Sequence, residues 1–279
     1  MAIEFLLGMG QMLVEGGQPE ANLRRALAMI REAARRGCRA VVLPECLDLG
    51  WTHPAARTLA QPIPGPYSDL ICEAAREAGI YVVAGLAERC DDRLYNAAVL
   101  VSPQGTVLLK HRKINELAIA HDLYATGDRL GVADTSLGVV AVNICADNFP
   151  ESLALAHAQA RMGARILLSP CAWAVEADHD QQRQPYGDLW LRSYTTLARL
   201  YDMTVVGVSN VGWLREGPWR GRRCIGCSLA VGPGGRILAR GPYGETAEAM
   251  LVVPVRVEPL PARGTALLDL LRERGYEGP

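Results

Sequence analysis

Apolar segments of strand character alternate with amphipathic helical segments, and this alternation predicts an α/β fold with helices outside sheets. The chain has 279 residues, 49% of them hydrophobic and 21% charged, which suits one large domain with a sizeable core. No repeat, low-complexity tract or linker divides the sequence. We therefore expect a single domain over residues 1–279.

The first half of the chain begins with strand, helix and strand patterns. The helix rests on Leu23, Leu27, Ile30 and Ala34, which recur at helical spacing. A Ser-Pro-Gln-Gly turn between two apolar runs predicts a β-hairpin. The elements expected here are strands at 3–9, 40–44, 80–87, 94–101 and 106–111, and helices at 19–36 and 68–78.

The second half continues the alternation and ends in a group of strands and a short helix. Its apolar runs are short and bounded by glycine, proline and polar residues, which favours strands. The elements expected here are strands at 139–144, 165–168, 204–209, 227–231, 236–239 and 250–255, and helices at 151–162, 188–201 and 265–272.

Three strand patterns end in residues that can carry chemistry. The run 38–45 ends at Glu45, the run 105–113 ends in cations including Lys113, and the run 138–145 ends at Cys145. A thiol at a strand-to-helix junction, near the positive end of the next helix, is expected to ionise more easily than a buried thiol. Taken singly, the three could be a solvated loop acid, a surface lysine and a core cysteine.

The order Glu45, Lys113, Cys145 resembles the nitrilase superfamily of carbon–nitrogen hydrolases, and further matches cover most of the chain. The family's opening strand, helix start and Leu-Pro-Glu strand end are matched by Gln11, Asn22-Leu23, Gly37 and Leu43-Pro44-Glu45. The lysine segment and its downstream residues are matched by Arg112-Lys113-Ile114, Tyr124 and Gly127, and the C-terminal strand and turn by residues 226–235. The resemblance implies a four-layer α-β-β-α sandwich that assembles as a homodimer or higher homo-oligomer.

Two positions depart from the family pattern. Where the family commonly has a second glutamate, three residues before the tyrosine, this chain has His121. Glu116 and Asp122 are nearby alternatives for the supporting carboxylate, although neither is at the motif position. After the nucleophile the chain is one residue shorter than the common spacing, and Ala146 replaces a frequent aromatic residue, which affects the substrate assignment.

The resemblance implies acyl transfer through a thioester on Cys145, with Glu45 as general base and acid. Lys113 and the backbone amide of Ala146 would stabilise the oxyanion. By position, substrate contacts are expected from Trp51, His121, Tyr124, Asn148 and Trp173. No metal or organic cofactor is expected, since the pair Cys224 and Cys227 lacks a second pair at zinc-finger spacing.

Composition favours a cytoplasmic globular enzyme, and the resemblance implies a small-molecule substrate. The net charge of -1 argues against a nucleic-acid-binding role. Neither a signal peptide nor an apolar run long enough to span a membrane is recognisable, so no membrane partner is expected. The eight cysteines then favour reduced thiols over disulfides.

Several functions remain open on sequence alone. The favoured one is hydrolysis of a small non-peptide amide or carbamoyl compound. The alternatives are a nitrilase, an acyltransferase that passes the thioester to an amine, and a binding protein that retains the fold without turnover. Hydrolysis and transfer share the first half-reaction and differ only in the acceptor.

Overall fold

The computed structural model describes residues 2–276 and 278, which form two large β-sheets enclosed by helices. The strands of this part of the chain are β1 Ile3–Gln11, β2 Cys38–Val42, β3 Tyr81–Cys90, β4 Arg93–Val101, β5 Val107–Arg112, β6 Val132–Thr135, β7 Gly138–Val142, β8 Ile166–Cys171, β9 Ala174–Val175, β10 Thr204–Ser209, β11 Val211–Trp213, β12 Arg223–Ile225, β13 Leu229–Gly232, β14 Arg236–Arg240 and β15 Ala249–Val257. The α-helices are α1 Pro19–Arg35, α2 Ala56–Leu59, α3 Pro66–Ala78, α4 Leu153–Arg161, α5 Asp188–Tyr201 and α6 Thr265–Glu273. Short 3-10 turns lie at Ala118–Ala120, Cys145–Asn148, Pro150–Ser152 and Pro233–Gly235.

Both large sheets have a parallel centre flanked by antiparallel strands. The first sheet has the order β15-β1-β2-β3-β4-β5, with β1, β2 and β3 parallel. The second has the order β14-β13-β10-β8-β7-β6, with β7, β8 and β10 parallel. A small third sheet has the order β11-β12-β9. Parallel strands bring their carboxyl ends to one edge of a sheet, which is where ligands commonly bind in α/β proteins.

The sheets pack face to face, and helices cover their outer faces. Alternation along β1 directs Phe5, Leu7 and Met9 into the core between the sheets. Helices α1 and α3 pack on the outer face of the first sheet. Helices α5 and α6 pack on the outer face of the second, where Tyr194 and Leu267 are buried. This arrangement confirms the predicted four-layer α-β-β-α sandwich.

The structure extends and corrects the expected elements. The helix expected at 151–162 begins as a 3-10 turn and becomes α-helical only at Leu153. Strand β7 ends at Val142 rather than at 144, so the nucleophile lies on a connection and not on the strand. The short elements α2, β6, β9, β11 and β12 were missed, because two to four residues are too few for periodicity to reveal. Within the described residues, no helix is both long enough and apolar enough to cross a bilayer.

Candidate active site

Glu45 lies just after β2, where the carboxyl ends of the parallel strands of the two sheets approach each other. Its backbone N–H donates to the carbonyl of Cys171 at the end of β8, at 3.2 Å, and so joins the two sheets. Its buried side chain accepts hydrogen bonds at Oε1 from Asn96 Nδ2 at 2.6 Å and from Lys113 Nζ at 2.7 Å. Both bonds end on Oε1, which leaves Oε2 available to take a proton.

Lys113 follows β5 directly, and its side chain is buried between two carboxyl groups. In addition to its bond to Glu45, Nζ lies 3.7 Å from Glu116 Oε2 and 5.7 Å from the centre of the Trp51 ring. Gly127 holds the backbone in place by donating to the Lys113 carbonyl at 2.8 Å. A Cβ at Gly127 would lie 2.1 Å from the Arg112 carbonyl oxygen, so only glycine fits there.

Cys145 begins the 3-10 turn after β7 with φ of 44°, a left-handed conformation that is rare outside glycine. Its backbone N–H donates to Ser169 Oγ at 3.1 Å. The side chain is partly exposed and lines the same cavity as Glu45 and Lys113. Ala146 is the second residue of this turn, where N–H groups lack a partner within the turn.

Asp147 ties the nucleophile turn to the lysine segment. Its Oδ1 accepts the backbone N–H groups of Ile114 and Asn115 at 3.0 and 2.7 Å. Its Oδ2 lies 2.8 Å from His111 Nε2 and accepts the Ile144 N–H at 3.0 Å. Burial opposes ionisation, but the His111 and backbone hydrogen bonds prevail and hold the pKa of Asp147 below its usual value.

Burial and neighbouring charges set the protonation of the site. Burial disfavours the ammonium of Lys113, but Glu116 and Glu45 beside it raise its pKa well above the usual value, so it stays charged. Burial raises the pKa of Glu116 to about 7 against the opposing effect of Lys113. Among the described residues neither oxygen of Glu116 has a hydrogen-bond partner.

The ionisation expected for Cys145 is reversed by the structure. The neighbouring thiol of Cys171, burial and the carboxylate of Glu45 raise the pKa of Cys145 well above its usual value. Helix α4 begins only at Leu153, so its N-terminus is not at the sulfur. The resting nucleophile is therefore a thiol that needs a base.

The cavity around the three residues has a volume of about 290 Å³. Its wall is mostly aromatic and aliphatic, formed by Trp51, Leu117, Phe149, Trp173, Tyr186, Leu189, Trp190 and Trp219. Small-molecule sites span roughly 300–1,000 Å³, so this cavity suits a small compound rather than a folded chain.

The substrate contacts expected from sequence fall into two groups. Trp173 lines the cavity, and Ala146 follows the nucleophile. His121, Tyr124 and Asn148 are not among the lining residues. His121 is exposed and borders a separate surface cavity, and its Nε2 lies 3.3 Å from the backbone carbonyl oxygen of Glu116.

Tyr124 and Asn148 are buried in the scaffold of the site. The Tyr124 hydroxyl lies 3.7 Å from Cys46 Sγ, which lies 3.4 Å from Asn96 Oδ1. Asn148 Nδ2 donates to Ser169 Oγ at 3.0 Å. Both act on the site only through other side chains.

The chain matches a known protein family over most of its length. A model of the carbon-nitrogen hydrolase family matches residues 6–259. The chain belongs to the carbon–nitrogen hydrolase family. This match confirms the resemblance to the nitrilase superfamily that the sequence indicated.

Relatives of this carbon–nitrogen hydrolase carry two kinds of name. Omega-amidase NIT2-B of Xenopus laevis is 29% identical over 259 residues, which cover 87% of this chain and 86% of that protein. A nitrilase of Pyrococcus abyssi is 34% identical over 229 residues, covering 80% of this chain and 79% of that protein. Omega-amidase NIT2-A of Xenopus laevis is 35% identical over 181 residues, which span 61% of this chain and only 64% of that relative.

Solved structures share the fold of this carbon–nitrogen hydrolase at low sequence identity. A carbon-nitrogen hydrolase from Helicobacter pylori aligns with a TM-score of 0.80 at 20% identity, covering 98% of this chain and 95% of that one. A double mutant of an amidase from Nesterenkonia sp. AN1, in complex with acrylamide, has a TM-score of 0.76 at 20% identity, covering 98% and 94%. These likenesses establish the fold.

Several residues that organise the site of this carbon–nitrogen hydrolase were missed from sequence. Asn96 donates a hydrogen bond to Glu45, and Ser169 accepts one from the Cys145 backbone. Each is a buried polar residue in a strand whose neighbouring residues are mostly apolar. An unpaired polar group in a core is costly, so such a residue usually has a specific partner. That signal could have identified both.

Proposed function

We propose that this protein is an amidase that cleaves a carbon–nitrogen bond of a small amide or carbamoyl compound through a thioester on Cys145. The observation that carries the proposal is the shared cavity of Glu45, Lys113 and Cys145, with Lys113 held between Glu45 and Glu116. A nucleophile, a base and a fixed cation around one small cavity are what acyl transfer requires.

The first half-reaction forms the thioester. Glu45 takes the thiol proton because Cys145 is protonated at rest, and the sulfur then attacks the carbonyl carbon. Lys113 Nζ and the Ala146 N–H stabilise the negative charge that develops on the oxygen. Loss of one such donor typically raises the barrier by roughly 3–4 kcal/mol. Glu45 then protonates the leaving nitrogen, the C–N bond breaks and an amine or ammonia departs.

The second half-reaction returns the enzyme to its resting state. Glu45 takes a proton from water, and the hydroxide attacks the thioester carbon. The C–S bond breaks, the acid is released, and the proton on Glu45 returns to the sulfur. One carboxylate thus serves both halves of the reaction.

A nitrilase is the second candidate, favoured by the relative of that name from Pyrococcus abyssi. Attack of Cys145 on a nitrile carbon would give a thioimidate, and two waters would then release acid and ammonia. The two activities differ in the substrate consumed and in whether a free amide accumulates.

Intact-protein mass spectrometry tests the proposal. Wild type, Cys145→Ala and Glu45→Gln are incubated with a panel of small amides, carbamoyl compounds and nitriles, and ammonia is measured in parallel. We expect an acyl adduct that turns over in wild type, persists or forms slowly in Glu45→Gln, and is absent in Cys145→Ala. An amine or hydroxylamine that competes with water for the thioester, so that the transfer product forms in place of free acid, would favour an acyltransferase. An unreactive Cys145 with no ammonia release would reject the proposal in favour of a binding role.

A further inference from the structure

Two pairs of aromatic side chains line the cavity that contains the catalytic groups. Trp173 and Trp190 are stacked, with ring centres 4.9 Å apart and an angle of 20° between the planes. Trp51 and Trp219 form an edge-to-face pair with centres 4.8 Å apart. Rigid rings of this kind bind flat apolar groups well, because burial of aromatic surface is favourable and costs little side-chain entropy.

The cavity offers no free positive charge to a substrate. Of the described residues that line it, Lys113 is the one with a permanent cation, and that cation is already held by Glu45 and Glu116. The imidazole of His179 also lines the cavity, and its Nε2 has no hydrogen-bond partner among the described residues. Arg222 lies 4.2 Å from the Trp219 ring centre but is paired with Glu176. Arg183, beside the lining residue Gln184, has a side chain that is 90% exposed.

A charged group on the acyl part of a substrate would therefore be poorly accommodated. A carboxylate would lose its water, find no unpaired lysine or arginine among the described lining residues and meet the carboxylate of Glu45. An added ammonium would meet Lys113, whose charge already faces the Trp51 ring at 5.7 Å. A neutral group carries neither cost.

We propose that the substrate is a small neutral amide whose acyl part is an uncharged alkyl or aromatic group, bound between the Trp173–Trp190 and Trp51–Trp219 pairs. This inference rests on the proposed amidase function and adds its substrate class. The aromatic residues then determine specificity, while Glu45, Lys113 and Cys145 perform the chemistry common to all amides.

A series of amides of matched length tests the proposal. The neutral members are hexanamide and 3-phenylpropanamide, and the charged members are adipic acid monoamide and 6-aminohexanamide. We expect kcat/KM for ammonia release by wild type to be about tenfold or more higher for the neutral members. Equal or faster turnover of either charged member would overturn the proposal.

Binding separates this proposal from the proposed function. Calorimetric titration of Cys145→Ala with the same four amides measures affinity without turnover. Tighter binding of the neutral members without hydrolysis by wild type would support the substrate class and reject the amidase activity. Hydrolysis by wild type together with tighter binding of a charged member would support the amidase activity and reject the substrate class.

A matched pair of variants tests the role of the wall. Leu189 is partly buried in the cavity lining on α5, whereas Leu70 is exposed on α3 and does not line it. Leu189→Arg supplies the missing cation, so it should raise kcat/KM for adipic acid monoamide relative to hexanamide, while Leu70→Arg should leave that ratio unchanged. If a folded, active Leu189→Arg keeps the wild-type ratio, charge in the wall does not set specificity; should it not fold, the amide series decides.

Discussion

The second carboxyl group beside Lys113 belongs to Glu116, which is not at the position that the family pattern indicates. The family position three residues before Tyr124 holds His121, whose side chain is exposed. Glu116 instead reaches within 3.7 Å of Lys113 Nζ from a buried position. Asp122, the other alternative, is exposed. We infer that Glu116 is the supporting carboxylate and acts by positioning Lys113.

Replacement of Glu116 by glutamine should lower kcat/KM on the order of tenfold to hundredfold, because Lys113 loses one of its two anionic partners. Burial raises the pKa of Glu116 to about 7, so its carboxylate forms as the pH rises through that value. The wild-type rate should accordingly rise across this range, whereas Glu116→Gln should lack that rise. Steady-state kinetics as a function of pH measure both effects.

Two neighbouring variants serve as controls for this prediction. Asp122→Asn changes an exposed side chain outside the cavity, so kcat/KM should stay within about twofold of wild type. His121→Ala removes a 3.3 Å contact between His121 Nε2 and the Glu116 carbonyl oxygen but leaves the Glu116 carboxyl group, so it should cost less activity than Glu116→Gln. A large loss in His121→Ala with unchanged stability would restore the motif position as the functional one.

The position of Glu45, just after β2, depends on a glycine in the neighbouring strand β3. Gly85 donates its N–H to the Pro44 carbonyl at 3.0 Å, and its carbonyl accepts the Leu47 N–H at 2.9 Å. A Cβ at Gly85 would lie 2.6 Å from the Glu45 Cα and 2.7 Å from the Pro44 oxygen. Only glycine lets β3 pass this close to the segment that carries Glu45.

Gly85→Ala should therefore displace Glu45 and lower both kcat and the melting temperature. Its control is Gly79→Ala at the end of α3, where φ is +66° and no atom lies within 4 Å of the added Cβ. That variant should lose roughly 1 kcal/mol of stability from backbone strain and keep its kcat. Thermal unfolding and initial rates, measured on both variants, separate the effects; an unchanged kcat in Gly85→Ala would contradict the prediction.

At the scale of the whole molecule, buried acids couple stability to pH. Asp48 is fully buried, and each of its carboxyl oxygens lies 3.1 Å from the Ala87 amide nitrogen. Burial raises the pKa of Asp48 to about 7 from 3.8. The folded protein then binds more protons than the unfolded chain between these pH values, so Asp48 lowers the free energy of unfolding as the pH rises toward 7. Glu116 acts in the same direction.

Asp48→Asn should remove the part of this dependence that is due to Asp48 and leave the part due to Glu116, because an amide side chain can accept the Ala87 N–H without ionising. Between about pH 5 and about pH 8, wild type should lose a few kcal/mol more stability than the variant. Asp69→Asn, at an exposed position on α3, is the control and should follow wild type. Urea unfolding at the two pH values measures these changes in the free energy of unfolding. Equal losses in wild type and Asp48→Asn would show that folding does not raise the pKa of Asp48.

Local pattern was enough to predict the strands and helices longer than about four residues, since burial of one face imposes a period that the sequence must carry. It also identified Glu45, Lys113 and Cys145 at the ends of three apolar runs, and the family match confirms the resemblance on which their roles rest. Their roles, the single domain and the oligomeric state stay predictions.

Only the tertiary structure shows the Glu116 carboxyl group beside Lys113, the surroundings that raise the pKa of Cys145 and the largely apolar lining of the cavity. Each depends on distances between residues far apart in the chain, such as the 4.8 Å between the Trp51 and Trp219 rings. Desolvation and charge proximity likewise act through space, so the raised pKa values of Cys145 and Glu116 have no signature in their neighbours along the sequence. Sequence therefore determined which reactive residues the chain carries and which family it resembles, and packing determined the distances, burial and charges around them.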